Sequence, residues 1–361
     1  MLQSEGYIRD VNYQERTIAG QIAHSDSDMS VLLKINNAVV HKCTVLKGEN
    51  SFKFSEIDFS KAYAIEVVLE ETQQQLYKKN NTTILLARQR TGTNVLRRFL
   101  NSHKDLFAIN EIFDPGIYNN KNFDIYSDMY SQIAYRQSDL IGAFFPYQFG
   151  LVSELQKPLS YKQTFIKFLD YINLHSTVAH NIIDIKYNHL HNLTDYITPL
   201  LNTKNDIFEI IRRKKLTVIH LTRTNYLKSY VSGQLASKSG NYVLSKESQK
   251  NEHQNITVTL DVNQLIYSIN IMKKEDDFIS EHLKEYEGYL PIEYQEMFDQ
   301  DGNFDKQFSN KVAQFFHVEN TFNRAPSLKK LQDRTFNDII INYGEVVEGL
   351  RNTQFEYCLE Q

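Results

Sequence analysis

Along the first part of the chain, hydrophobic positions come in short β-rich runs broken by turn residues. Val31-Leu32-Leu33-Lys34-Ile35, Val39-Val40, Phe52-Lys53-Phe54 and Ile65-Glu66-Val67-Val68-Leu69 are the clearest runs. Ser25 to Ser30, Asn36-Asn37 and Gly48-Glu49-Asn50 separate them. This pattern predicts a small all-β, sandwich-like domain over residues 1–72. A polar stretch from Glu70 leads to Lys78-Lys79-Asn80-Asn81, and residues 73–81 are expected to form a linker.

From residue 82 to 361 strands alternate with helical segments. Thr83-Ile84-Leu85-Leu86-Ala87 reads as a buried strand and Asn94 to Ser102 as a helix. Ile182-Ile183-Asp184-Ile185 and Leu216 to Leu221 read as further central strands, each leading into a segment of helical periodicity. That alternation predicts an α/β domain, a parallel sheet with helices on both faces. Residues 116–161, rich in Tyr, Phe and Asn, and the polar stretch 237–256 fit no element and are candidate lids or substrate walls.

Composition narrows the function classes. A net charge of -4 and a pI near 6.3 argue against a broad basic face for nucleic acid. A small anion is still compatible, because a few cations and helix N-termini suffice to hold one. Cys43 and Cys358 lie at opposite ends of the chain and suggest neither a disulfide framework nor a metal motif. No signal-peptide pattern opens the sequence and no apolar run has the length of a membrane span, so a cytoplasmic protein is expected. Trp is absent while Tyr and Phe number 22 each, so any stacking on a ligand ring falls to Tyr, Phe or His.

Two segments carry candidate chemistry. In the first, the strand ending at Ala87 runs into Arg88-Gln89-Arg90-Thr91-Gly92-Thr93-Asn94 and then a helix. Gly92 lets backbone approach a ligand, the first helical amides lack intrahelical partners, Thr91 and Thr93 add hydroxyls, and Arg90 adds charge. The plainer reading is a tight turn with a Thr cap. The loop lacks the Lys-Ser/Thr end of a nucleotide-triphosphate loop. In the second, the strand ending at Leu221 is followed by Arg223, with Ser232 on the next helix and Ser229 as an alternative hydroxyl. An Arg and a Ser so placed can converge on one phosphate, although an Arg at a strand end is commonly a surface ion-pair partner.

Together these segments resemble the sulfotransferases that use 3'-phosphoadenosine 5'-phosphosulfate (PAPS). The first resembles their phosphosulfate loop, and the second their strand, Arg and Ser that hold the 3'-phosphate. Three further stretches are similar to bacterial carbohydrate sulfotransferases related to trehalose 2-sulfotransferase: Leu100 to Phe113, Ile185 to Leu190, and Leu331 to Thr353. His103 is followed by Lys104 where the family carries Pro, and Tyr242 stands where many relatives carry Trp. Ile18-Ala19-Gly20-Gln21-Ile22-Ala23 resembles a segment of small β-sandwich modules found beside glycan-modifying enzymes, with Trp replaced.

The resemblance implies the sulfotransferase fold, PAPS as donor and 3'-phosphoadenosine 5'-phosphate (PAP) as product, no required metal, and a sugar hydroxyl as acceptor. It implies Glu111 as general base, Arg90 and the amides of Thr91 to Asn94 on the transferring group, and Arg223 with Ser232 on the 3'-phosphate. Lys186 is a further catalytic candidate, Lys329, Lys330 and Arg334 candidate 3'-phosphate cations, and Tyr242 a candidate for the adenine ring. For these, a snorkelling Lys, a solvated basic loop and a surface carboxylate are the plainer readings. His189 and His191 lack further ligands and read as structural or acceptor-side. Without a Gly-x-Ser-x-Gly elbow, nucleophilic hydrolysis has no support. A glycan-binding scaffold with an inactive site and a nucleotide-dependent kinase are the alternatives.

Overall fold

The computed structural model describes residues 6–12, 16–22, 27–35, 38–57, 65–72, 74–78, 81–109, 111, 161–175, 178–193, 206–240, 256–325 and 334–360. Tyr242, Lys329, Lys330 and nearly all of the aromatic stretch 116–161 lie outside these residues, as does the side chain of His191.

Seven strands build the front of the chain: β1 (Gly6–Asn12), β2 (Thr17–Ile22), β3 (Met29–Ile35), β4 (Ala38–Val45), β5 (Ser51–Phe54), β6 (Ile65–Leu69) and β7 (Gln74–Lys78). They form one sheet in the order β4-β3-β6-β7-β1-β2-β5, antiparallel except where β1 meets β7. Alternate residues enclose one core that includes Ile8, Ile18, Val31, Leu33, Phe52, Phe54, Val67, Leu69 and Leu76. Most of the stretch expected to be a linker is therefore strand. Residues 74–78 pair with β6 on one side and β1 on the other, and buried Leu76 joins the core. A polar strand with one inward apolar residue does not stand out in a hydropathy pattern.

The rest is an α/β unit: β8 (Asn81–Ala87), α1 (Thr93–Leu100), β9 (Leu106–Ile109), α2 (Tyr161–His175), β10 (His180–Lys186), α3 (Asp206–Lys214), β11 (Thr217–Thr222), α4 (Tyr226–Ser239), α5 (Val262–Leu283), β12 (Tyr289–Glu293), α6 (Lys306–Phe316) and α7 (Tyr343–Leu350). Five parallel strands run in the order β12-β11-β8-β10-β9. Central β8 and β10 are buried on both faces, so their apolar residues run without alternation. Ile84, Leu86, Ile183 and Ile185 face α2, α3 and α5, while Leu85, Ala87 and Ile182 face α1 and α6. Helices thus cover both faces, as the alternating pattern predicts. A further apolar cluster joins α4, α5, α7 and Phe355. No helix among the described residues is long and apolar enough to cross a membrane.

The strand order reverses direction at β8. The chain proceeds from β8 outward to β9 and back to β10 on one side, then crosses to β11 and β12 on the other. Open α/β sheets bind ligands outside the carboxyl ends of the strands at such a switch point. Ala87 pairs with both Lys186 and Leu221, so the segments after β8, β10 and β11 emerge at one level.

Candidate active site

The loop after β8 carries two left-handed residues, Arg90 (φ 67°) and Gly92 (φ 95°). Gly92 is also the cap of α1, and no side chain caps that helix or places an acid in its first turn. A helix end of this kind, without an acid in its first turn, favours an anion. Thr91 is buried, with its hydroxyl donating to the Arg88 carbonyl at 2.7 Å, and so braces the loop rather than facing a ligand.

Arg88 is the anchor of the loop. Its guanidinium lies 2.7 Å from Asp276 and 3.2 Å from Glu275 on α5, and it also donates to the Met272 carbonyl. Behind it runs a buried polar chain. The Tyr187 hydroxyl donates to Asp276 at 3.0 Å and is bonded to His220, whose other ring nitrogen lies 2.8 Å from the Tyr289 hydroxyl. Burial, with Arg88 nearby, pulls His220 down to about 3, so its ring is neutral at pH 7. Burial also pushes the Tyr187 hydroxyl well up and Asp276 up, the latter against the pull of Arg88.

On the β10 side, the Lys186 ammonium is buried at the level of the loop. It donates to Thr93 Oγ1 at 2.8 Å and to both Asp184 oxygens at 2.5 and 2.6 Å. Glu111 Oε1, two residues past β9, lies 3.3 Å from the same nitrogen, and its side chain is 19% exposed. Arg97 on α1 adds a second buried cation, with Nε 3.5 Å from Asp184. The sequence expectations for Glu111, Lys186 and Thr93 thus meet in one cluster, to which the structure adds Asp184 and Arg97.

On the β11 side, Arg90 reaches away from its own loop. Its Nε and Nη2 donate to Ser232 Oγ at 3.1 and 3.0 Å, and Arg223 donates to the Arg90 carbonyl at 3.4 Å. The two segments singled out in the sequence therefore touch. Arg223 lies 4.9 Å over the Tyr294 ring, and burial pushes its guanidinium down while Tyr294 and Glu293 oppose that. Among the described residues, buried Arg223 Nε and buried Ser229 Oγ have no hydrogen-bond partner. A buried guanidinium nitrogen without an acceptor is compatible with an anionic ligand, which would supply one.

Tyr294, just past β12, escaped the sequence reading. Its ring lies so close to Gly92 that a Cβ added there would sit 2.3 Å from Cε2. Arg334 is engaged with main chain, donating to the Ile256 carbonyl at 3.0 Å and to the Asp338 carbonyl. His189 is buried.

The second junction is stitched to residues near the end of the sequence. Asn225, the cap of α4, uses its side-chain oxygen on the Lys228 amide at 2.9 Å. Its side-chain nitrogen donates to the carbonyls of Cys358 and Glu360 at 3.2 and 3.1 Å. The Tyr357 hydroxyl donates to the Thr224 carbonyl at 3.2 Å.

No family model matches the chain, and no curated protein does. Among solved structures, a sulfotransferase from Alicyclobacillus acidocaldarius aligns at 9% identity and a TM-score of 0.36, covering 78% of this chain and 96% of that one. The sulfotransferase domain of the Synechococcus PCC 7002 olefin synthase aligns at 13% and 0.33, covering 77% and 90%. Mouse sulfotransferase SULT7A1 complexed with PAP aligns at 10% and 0.34, covering 79% and 89%. Likenesses this distant do not bear on function, which rests on the site itself.

Proposed function

We propose that this chain is a sulfotransferase that moves a sulfuryl group from PAPS to a hydroxyl, with a carbohydrate as acceptor, in the cytoplasm. The observation that carries this reading is the gathering of the two motif-bearing segments at the switch point, with Lys186, Thr93 and Glu111 on one side and Arg90, Arg223 and Ser232 on the other. Arg223 Nε and Ser229 Oγ, without partners among the described residues, are polar atoms that a phosphate could satisfy. Bound PAPS would supply an activated sulfuryl group.

In this reading the open end of α1, the Thr93 hydroxyl and the Lys186 ammonium face the phosphosulfate. Arg90, expected from the sequence on the transferring group, donates to Ser232, so in this reading it joins Arg223 and Ser232 or Ser229 at the 3'-phosphate instead. Glu111 takes the acceptor proton as the new O–S bond forms and the bond from sulfur to the leaving phosphate oxygen breaks, its electron pair staying on that oxygen. Fixed donors aimed at developing charge in a water-poor site are worth roughly 10²–10³ in rate each, and a positioned base about 10²–10⁴. Lys330, Arg334 and Tyr242 remain proposals for the 3'-phosphate and the adenine ring.

PAP binding by calorimetry tests the reading. Wild type is expected to bind, and Arg223→Ala or Arg90→Ala to weaken binding by about 1.5–3 kcal/mol, the scale of a hydrogen bond to a charged group. Adenosine 5'-monophosphate, lacking the 3'-phosphate, should bind more weakly than PAP and be insensitive to Arg223→Ala. Absence of PAP binding by folded wild type refutes the proposal. Binding without PAPS turnover on any sugar would favour the scaffold alternative.

A further inference from the structure

Two carboxylates share the Lys186 ammonium, and they share it unequally. Asp184 meets it with both oxygens at 2.5 and 2.6 Å, whereas Glu111 stands off at 3.3 Å with one oxygen. An ammonium has three protons. Asp184 and Thr93 accept them at hydrogen-bonding distance, and Glu111 is the loosest of the partners. The arrangement follows from strand geometry: Asp184 and Lys186 are two apart on β10, so both point to the α1 face. Thr93 and Arg97, four apart, meet them from one face of α1.

Asp184 is fully buried and cannot exchange its partners for water. Burial pushes its carboxyl up against the pull of Lys186 and Arg97. Glu111 keeps an exposed edge. The charges facing one another are two cations, Lys186 and Arg97, and two anions, Asp184 and Glu111, drawn from β10, α1 and the segment after β9. Arg97 Nε and Nη1 have no hydrogen-bond partner among the described residues, so Arg97 acts on Asp184 through charge rather than a direct bond.

We propose that Asp184 is a positioning residue that holds the Lys186 ammonium from behind and thereby leaves Glu111 unclamped to receive the acceptor proton. The proposal rests on Glu111 and Lys186 having the parts assigned above. Without the Asp184 charge, Glu111 is the one anion left among the described residues that pair with these two buried cations. It closes on Lys186 to the ~2.8 Å of a charge-assisted hydrogen bond, and its lone pair is no longer offered to the acceptor.

The test is Asp184→Asn, which keeps shape and removes charge. The first readout needs no activity: the rate at which carbodiimide consumes the Glu111 carboxyl in the resting protein, counted by mass spectrometry as external adduct plus the zero-length amide to Lys186. It is expected to fall roughly tenfold, equivalent to about 1.4 kcal/mol of added pairing. The second is the split between binding and turnover. PAP affinity should stay within about twofold while PAPS turnover falls ~10²-fold, the low end of what a general base contributes. The third is non-additivity: Asp184→Asn with Glu111→Gln should turn over no more slowly than Glu111→Gln alone, because both remove the same function.

Unchanged or faster labelling of Glu111, or costs that add in the double variant, overturn the proposal. If Asp184→Asn does not fold, Asp184→Asn with Arg97→Met restores the charge balance and carries the same measurements. Should wild type fail to bind PAP, the functional reading falls, and the labelling result still decides whether Asp184 holds Glu111 apart from Lys186.

Discussion

Replacing Gly92 by Ala should damage both halves of the site through a single methyl group. Gly92 holds φ 95° and ψ 20°, a left-handed conformation that costs an L-residue about 1–2 kcal/mol. The added Cβ would also lie 2.3 and 2.5 Å from Tyr294 Cε2 and Cδ2, distances no real pair sustains, so the ring must swing away. Forcing that ring off its rotamer costs about 0.5–1.5 kcal/mol. Moving it from beneath Arg223 forfeits about 1 kcal/mol of cation–π attraction. Gly92→Ala is therefore expected to destabilise the α/β unit by about 2.5–4.5 kcal/mol in urea unfolding followed by circular dichroism. Strain and clash separate in a double-mutant cycle. In a Tyr294→Ala background the clash is gone, and Gly92→Ala should cost only the backbone part, about 1–2 kcal/mol. PAP affinity should drop in the single variant as Arg223 loses its support. A Gly92→Ala cost below about 0.5 kcal/mol, or costs that add within about 0.5 kcal/mol, would refute the reasoning.

Other expectations follow from the buried chain behind the loop. His220 is neutral in the folded protein, with its ring pulled down to about 3, while the unfolded chain takes a proton below about 6.5. Stability should therefore be lost as pH falls from about 6.5, at roughly 1.4 kcal/mol per unit from this group alone. His220→Gln, although less stable at pH 7, should lose about 2 kcal/mol less than wild type between pH 7 and 5, measured by urea midpoints at both values. Asp276→Asn leaves Arg88 with Glu275 as its remaining carboxylate partner and should cost about 3–5 kcal/mol; a loss under 1 kcal/mol in the same assay would show that the loop has another anchor.

The central strands and the two strand-to-helix junctions were legible because buried parallel strands read as unbroken apolar runs and each is followed by helical periodicity. Leu76 alone could not announce β7, since the residues around it are polar and the strand depends on partners on both sides. Of the loop's two arginines, the sequence pattern points to Arg90 and assigns Arg88 no part. One is an anchor whose carboxylate partners lie on α5, and the other crosses to Ser232 on α4; both depend on contacts far along the chain. Asp184 did leave a signal: two charged residues two apart inside an apolar strand must share a face and so face one another's environment. Tyr294 left less, because an aromatic residue after an edge strand usually belongs to the core.

The stitching of Thr224 and Asn225 to residues 357–360 has a consequence for biosynthesis. Asn225 and Cys358 are 133 positions apart, so at ribosomal speed the partner is made on the order of ten seconds later. The loop carrying Arg90 and Gly92 and the central strands precede it and have time to pack, but the loop bearing Arg223 waits for its clamp. A nascent chain should thus pass through a stage with a formed sheet and an unfinished binding site, competent to fold before it is competent to bind.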